Sequence, residues 1–362
     1  MSLKLFRKKA YAGVDLGTNS IKVAQIESVG DHWSVTKHAE VPTPVDAIKD
    51  GVVVDCDQVA GALKQALRDA RINATSAIIG VAGGSVIVRT VRIPRMPEAT
   101  LRKSIRFEAG RYVPSSVEDS FIEFEILEDA PENQMDVLIV AAPRELVKSR
   151  VEACAKAGLE VEIVDIEAFA MYRALVESEL VSEYADTTIA LVDIGASTTN
   201  VSVINKGVFA MTRSIPQAGG TLTQALENYF KLEPSDAEQG KTQLDLRTLI
   251  DADGTIENPP LRVLQPHIDD LLREIRRSLN YYQSQQTGQG EPNPVTKLIV
   301  SGGGARMTGI AEYMQHKLEI ESASVGVFDC SRFLDLEEGE EGHGYELSVA
   351  SGLALRAVMK AS

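Results

Sequence analysis

The chain has few cysteines. Cys56, Cys154 and Cys330 are the three present in 362 residues, and no two are close in sequence. They form no CxxC pair and no zinc spacing, so a disulfide framework and a structural zinc module are excluded and reduced thiols in a cytoplasmic protein are expected. The five histidines make no HExxH or other metal signature. Positive charge is in the minority: 37 Lys and Arg face 52 Asp and Glu, a formal net charge of -15 at pH 7. That balance argues against electrostatically driven nucleic-acid binding. No apolar run approaches the length needed to span a bilayer, so no integral membrane segment is expected. The opening Leu3-Lys4-Leu5-Phe6-Arg7-Lys8-Lys9 is basic but leads into no hydrophobic signal core. It reads as a solvated lead-in to the first strand; contact with an anionic membrane surface is the other reading. A Walker A loop is also missing. Gly240-Lys241-Thr242 resembles the end of one, but the required glycine five positions earlier is Ser235, and the residues upstream read as helix.

What the chain does have is one phosphate-gripping pattern used twice. The first copy runs Gly13-Val14-Asp15-Leu16-Gly17-Thr18-Asn19-Ser20-Ile21-Lys22-Val23-Ala24-Gln25-Ile26, the second Leu191-Val192-Asp193-Ile194-Gly195-Ala196-Ser197-Thr198-Thr199-Asn200-Val201-Ser202-Val203-Ile204. Each is an apolar strand, an Asp, an apolar residue, a Gly, a small polar turn and an alternating strand. That predicts a β-hairpin with an acid at its tip. The Gly permits a tight turn and close approach of a ligand to the main chain. Small polar residues offer amide and hydroxyl donors to phosphate oxygens. Each Asp can hold a hydrated Mg²⁺, a hard cation that prefers oxygen ligands. One copy is a common surface turn; two copies predict related half-domains facing one nucleotide.

The rest of the pattern is α/β. Strands are expected at Val35–Glu40 and Ser76–Val81, with a helix at Gln58–Arg71 between them. From Ser85 to Glu167 the texture changes to strand, helix from Pro97 to about Tyr112, strands Phe121–Leu127 and Val137–Ala142, helix from Pro143 to Ala157 with Gly158 as C-cap, and strand Val161–Ile166. This predicts a compact inserted α+β unit. After the second hairpin come a helix at Thr221–Phe230, helical texture at Ser235–Gln243, an acidic loop at Leu246–Pro260 and an amphipathic helix at Ile268–Gln283. Lys297–Ser301 reads as a strand ending in Gly302-Gly303-Gly304, and Ser348–Met359 as a closing helix of small residues.

The repeated hairpins, the inserted unit and the late triple Gly resemble the actin-like ATPase superfamily. Within it the chain resembles the PilM family of type IV pilus assembly proteins, relatives of the division protein FtsA. The segments that carry this are the basic opening with its following hairpin, Ile93-Pro94-Arg95-Met96-Pro97, Arg106-Phe107-Glu108-Ala109 with Tyr112-Val113-Pro114, and Val164-Asp165-Ile166-Glu167-Ala168-Phe169-Ala170. The resemblance implies two ribonuclease H-like halves. Residues 1–84 and 168–187 would form the first (IA), and 188–220 and 296–362 the second (IIA). A helical/β subdomain (IIB) would occupy 221–295, and 85–167 would be an FtsA-like 1C/SHS2-type insertion. It implies ATP or ADP with Mg²⁺ as cofactors. Asp15 and Asp193 would hold the metal. Gly17, Thr18, Asn19 and Lys22, then Gly195, Ser197, Thr198 and Thr199, would take the phosphates. Gly219 and Gly220 would pass close to the nucleotide, Glu238 and Lys241 would reach ribose and adenine, and Gly302, Gly303 and Gly304 would admit the base. The i,i+3 spacing of Glu238 and Lys241 puts them on one helix face, where an ordinary salt bridge is the plainer reading. Glu167 stands where related ATPases carry a carboxylate near the attacking water; a junction salt bridge reads equally well there.

The function so implied is a cytoplasmic ATP-binding scaffold, peripheral to the inner membrane through partners, with ATP a bound regulator turned over slowly if at all. The partner implied is the N-terminal cytoplasmic peptide of PilN, with other inner-membrane pilus components and motor ATPases beyond it. Phe107, Ile93 and Met96 are the expected groove contacts. An FtsA-type division scaffold is the alternative, as are a related type II secretion ATPase and a metabolic kinase on the same fold. No membrane tail is expected after the closing helix, and no clear acceptor-site base is found, which favours the pilus reading.

Overall fold

A computed structural model of the chain describes residues 10–112, 117–130, 133–178, 184, 186–250, 257–286, 293–334 and 342–359. The basic opening and the final Lys360-Ala361-Ser362 lie outside the described residues, as do Val113 and Pro114.

In chain order the elements are β1 (Tyr11–Leu16), β2 (Ser20–Val29), β3 (His32–Pro42), a ribbon of β4 (Ile48–Lys49) and β5 (Val52–Val53), α1 (Cys56–Asp69) and β6 (Ser76–Val81). There follow β7 (Ile87–Pro94), α2 (Glu98–Ala109), β8 (Ser120–Ala130), β9 (Gln134–Pro143), α3 (Arg144–Ala157), β10 (Glu160–Ile166) and α4 (Glu167–Tyr172). The second part has β11 (Thr188–Ile194), β12 (Thr199–Asn205), β13 (Val208–Ile215), α5 (Gly219–Phe230), α6 (Pro234–Thr242) and α7 (Pro259–Gln285). It closes with β14 (Lys297–Ser301), α8 (Ile310–Leu318), β15 (Glu321–Ser324) and α9 (Ser348–Met359).

Local chemistry explains the boundaries. The Asp55 side chain accepts a hydrogen bond from the Gln58 amide and caps α1. Gly158, at φ 93°, ends α3 in the left-handed conformation that Gly adopts without penalty. Asn258 caps α7, and Pro259 fits the first turn because no partner is needed for its missing N–H. The helix therefore starts upstream of the Ile268 expected from the apolar stripe. β6 is buried at every position, as a strand covered on both faces must be.

The same sheet is built twice. In the first half the order is β10-β6-β1-β2-β3, with β1, β2 and β3 antiparallel and β6 and β10 parallel to β1. In the second the order is β15-β14-β11-β12-β13 with the same sense at every step. Each half buries its own apolar core, one around Leu63, Ile79 and Val14, the other around Leu264, Ile275 and Met314.

The stretch 85–167 divides between two layers. β7, β9 and β8 pair with one another, and α2 covers them over a small core of Val91, Ile93, Leu101, Ile105 and Met135. β7 also touches the edge strand β13 through a Met211–Arg89 bridge, and Thr90 Oγ1 donates to Phe209 O at 2.8 Å. α3 and β10 instead go back to the first half, where β10 pairs with β6 and Ala153 and Cys154 of α3 join its core. α9 then runs under both β1 and α4. A Cβ on Gly13 would overlap the Ala350 carbonyl, and one on Gly352 would overlap the Ala170 carbonyl. These glycines are what let the closing helix pack against the backbones of β1 and α4.

Candidate functional site

The two hairpins place their tips against each other. In the first, Asp15 pairs with Lys22 and Leu16 with Ile21, leaving Gly17 to Ser20 between them. In the second, Asp193 pairs with Asn200 and Ile194 with Thr199, leaving Gly195 to Thr198. Thr18 Oγ1 and Ser197 Oγ share a hydrogen bond of 2.8 Å across the gap. The turns are braced from behind. Thr43 donates from its amide to Asn19 O at 3.0 Å and from Oγ1 to Gly17 O at 2.7 Å. Gly195 N donates to Thr198 O at 3.0 Å. Thr199 is fully buried and its hydroxyl donates to Gln217 O at 2.7 Å, so it anchors the second turn and does not open onto the gap.

Charge concentrates below the turns. Lys22 Nζ lies 3.4 Å from Asp15 Oδ2. Burial lowers the Lys22 pKa, but Asp15, Glu40 and Asp193 more than offset this and leave it above its ordinary value. Burial drives Asp193 up to about 6, the Asp15 charge adds to the rise, and the Asn200 amide and Lys22 oppose it. Glu167, the first residue of α4, is pushed up to about 7 by burial. Arg150 opposes that shift, Asp15 and Asp193 reinforce it, and Lys22 opposes it. Three carboxylates therefore share one field, and the nearby cations do not neutralise it. Among the described residues no three acidic, His or Cys side chains are placed to bind one ion directly.

The glycine-rich turns are fixed by contact. Gly219 N donates to Gly195 O at 3.0 Å and Gly220 N to Ala196 O at 2.8 Å, tying the start of α5 to the second hairpin. Lys241 is buried, with Nζ donating to Glu238 Oε2 at 2.6 Å, Thr223 Oγ1 at 3.0 Å and Gly219 O at 3.2 Å. It clamps the Gly219 turn from α6, while its partner Glu238 stays half-exposed. Gly302, at φ 82°, and Gly304 leave no room for a Cβ, which would overlap Asp193 and Ile194 respectively. Gly303 between them faces open space. The triple Gly thus has two packing glycines around one open position.

A cavity of about 20 Å³, room for roughly one water, lies beside Glu167 and Asp193. The sheet lines it with polar pairs: Ser214 Oγ donates to Asn200 Oδ1 at 2.5 Å, and Ser202 Oγ shares a hydrogen bond of 3.0 Å with Thr212 Oγ1. Sequence reasoning missed Asn200, Thr43 and Arg150. Asn200 and Ser202 interrupt the apolar alternation of β12 on one face, a legible signal. Arg150 sits among the buried α3 positions Leu146, Val147, Ala153 and Cys154, a charge on an apolar stripe.

The three expected groove contacts separate. Ile93 is 3% exposed and belongs to the α2 core, because β7 turns it under that helix. Met96 packs against the same core, half-buried. Phe107 is 72% exposed, on the outer face of α2.

The family model for the type IV pilus assembly protein PilM matches residues 13–358. The chain belongs to the PilM family. That family places it among type IV pilus assembly proteins. Its structure resembles a solved PilM-PilN type IV pilus biogenesis complex, with a TM-score of 0.82, 25% identity, and coverage of 97% of this chain and 99% of that one. MreB5 of Spiroplasma citri bound to ADP superposes with a TM-score of 0.50 at 14% identity, over 98% of each chain, so the PilM-family chain has the actin-like ATPase fold. Among curated proteins it is similar to the cell division protein FtsA of Streptococcus pneumoniae (23% identity, 85% of this chain and 74% of that protein) and of Pseudomonas aeruginosa (24%, 84% and 80%). Among the described residues no helix is long and apolar enough to cross a membrane.

Proposed function

We propose that the protein binds ATP or ADP with Mg²⁺ between its two halves and acts as a nucleotide-responsive scaffold of the type IV pilus inner-membrane assembly complex. The observation that carries this reading is the meeting of the repeated turns at Thr18 and Ser197, with Asp15 and Asp193 behind them. Bound Mg²⁺ would neutralise phosphate charge. The turn hydroxyls of Thr18, Ser197 and Thr198 supply donors to phosphate oxygens, and Lys22 and the Gly17, Asn19 and Gly195 backbone support them. Asp15 and Asp193 hold the hydrated cation. The open Gly303 admits the base, Gly302 and Gly304 set its turn, and Gly219 and Gly220 bring α5 to the phosphate side. Glu238 reaches the ribose with Lys241 positioning it. Glu167, beside a cavity of one-water size, orients the attacking water in whatever slow hydrolysis occurs.

Isothermal calorimetry tests this directly. ATP and ADP are expected to bind in the presence of Mg²⁺, with at least about tenfold weaker binding after chelation or in Asp15→Ala. Absence of heat from either nucleotide with the unaltered protein would overturn the reading.

The partner is the N-terminal cytoplasmic segment of PilN, which holds the protein at the inner-membrane surface in the cytoplasm. Support comes from the family and from the similar PilM-PilN structure. The unit of β7, α2, β8 and β9 supplies the docking surface, for an extended peptide of about a dozen residues. Ile87 pairs directly with Ala141, so the two chain ends of this unit are adjacent. Replacing residues 87–141 with a short Gly-Ser link removes the unit while keeping α3 and β10 in the first sheet. Peptide binding is expected to fall more than about tenfold while Mg-ADP binding persists. Undiminished peptide binding by a truncated protein that still takes Mg-ADP would place the partner elsewhere.

A further inference from the structure

Arg150 enters the first half from α3 and is 4% exposed. Its guanidinium has three acceptors. Nε donates to Gly51 O at 3.0 Å, and Nη1 donates to Gly80 O at 2.8 Å and to Glu167 Oε1 at 3.2 Å. An arginine stays charged when buried, so it needs a carboxylate. Glu167 provides one. Gly80 completes the seat. A Cβ there would come within 2.6 Å of Glu167 Cγ, so only glycine lets the Glu167 side chain lie over the strand.

The guanidinium is fixed in turn by the segment from Thr43 to Asp55. At its start, Thr43 braces the first phosphate turn through Gly17 O and Asn19 O. Near its end, Gly51, at φ 82°, presents its carbonyl to Arg150, and Val53 N donates to Ser149 Oγ at 3.1 Å on α3. One connection thus anchors both the turn that faces phosphate and the cation that holds Glu167. An ion pair serving only to join α3 to α4 would not require the Gly80 cradle beneath the carboxylate.

We infer that Arg150 is a positioning residue that fixes the Glu167 carboxylate toward the reacting phosphoryl group. This rests on the role proposed for Glu167 above. The arrangement has a specific energetic consequence. Pre-set geometry favours the transition state over the ground state, so losing it should spare nucleotide binding and weaken binding of a transition-state mimic.

The experiment compares Mg-ADP with Mg-ADP plus aluminium fluoride, by calorimetry, for the unaltered protein, Arg150→Met, Arg150→Lys, Glu167→Gln and the Arg150→Met/Glu167→Gln pair. The double variant removes both buried charges together and so keeps a folded reference if Arg150→Met alone does not fold. Arg150→Lys keeps the charge with a shorter reach. Arg150→Met is expected to hold Mg-ADP within about twofold and to lose about tenfold or more in affinity for the fluoride complex. Arg150→Lys should recover part of that loss. On the Glu167→Gln background the Arg150 change should add nothing. Equal loss for both ligands, or full additivity in the double variant, would overturn the inference while leaving Glu167 in its role. If Glu167→Gln binds the fluoride complex as the unaltered protein does, the Glu167 reading itself fails, and the inference fails with it.

Discussion

Asp193→Asn is expected to raise the melting temperature of the ligand-free protein while sharply weakening Mg²⁺-dependent nucleotide binding. The carboxylate is held at about 6 by burial, with Asp15 adding to the rise. A carboxyl whose folded pKa lies above its unfolded value near 4 binds more protons when folded. Its destabilising contribution is absent below pH 4, grows through the window from about 4 to 6, and is full above it. The amide has nearly the same shape and no charge to desolvate, so the gain in stability should be a few degrees at pH 8 and vanish at pH 4. The same substitution removes half of the carboxylate pair proposed to hold the cation, and calorimetry should show at least about a hundredfold loss in Mg-ATP affinity. This is the pattern expected of a site that keeps unfavourable charge for binding. A variant with no gain in stability at pH 8 would show that Asp193 is not strained by its neighbours in the way its environment implies, and one that keeps Mg-dependent binding would show that Asp193 does not hold the cation.

Much of this was legible because the repeat is written in strand periodicity. Gly13–Ile26 and Leu191–Ile204 each specify an antiparallel pair, and the structure gives both hairpins with Asp opposite the second strand at corresponding positions, Asp15 with Lys22 and Asp193 with Asn200. Ser76–Val81 and Gly158 were equally plain, since a short uniform apolar run and a left-handed cap leave little choice. What sequence could not show is partnership between distant segments. Val161–Ile166 reads as a strand, but nothing local says that β10 pairs with β6 and not with β9. Arg150 is legible as a misplaced charge, whereas its acceptors Gly51, Gly80 and Glu167 are assembled from three separate segments. The triple Gly shows the same gap. Its composition predicts an open turn, yet only Gly303 is open, because Gly302 and Gly304 are set by contact with a hairpin distant in sequence.

Gly352→Ala is expected to cost the protein about 3 kcal/mol or more of stability, although alanine is the better helix former. Gly352 lies in α9 where that helix crosses α4, and its missing Cβ is replaced by the Ala170 carbonyl. Both sides of the contact are helix backbone, so neither can yield as a flexible side chain would. The crossing is also tied electrostatically. Arg173 donates to Gly352 O at 2.8 Å and to Asp165 Oδ2 at 3.1 Å, and Arg356 reaches the same carboxylate oxygen at 2.6 Å. Separating the helices would stretch this buried network, and removing a partner from a buried charge is itself costly. The opposite outcome is expected at Gly61, inside α1, where a Cβ meets nothing within 4 Å. Gly61→Ala should stabilise by up to about 1 kcal/mol through helix propensity alone. Thermal or urea denaturation of the two variants separates the effects by sign. Because α9 also supports β1 at Gly13, just before Asp15, the Gly352 variant should lose nucleotide affinity in step with stability. A Gly352→Ala protein as stable as the unaltered one would mean that α4 and α9 do not pack backbone to backbone.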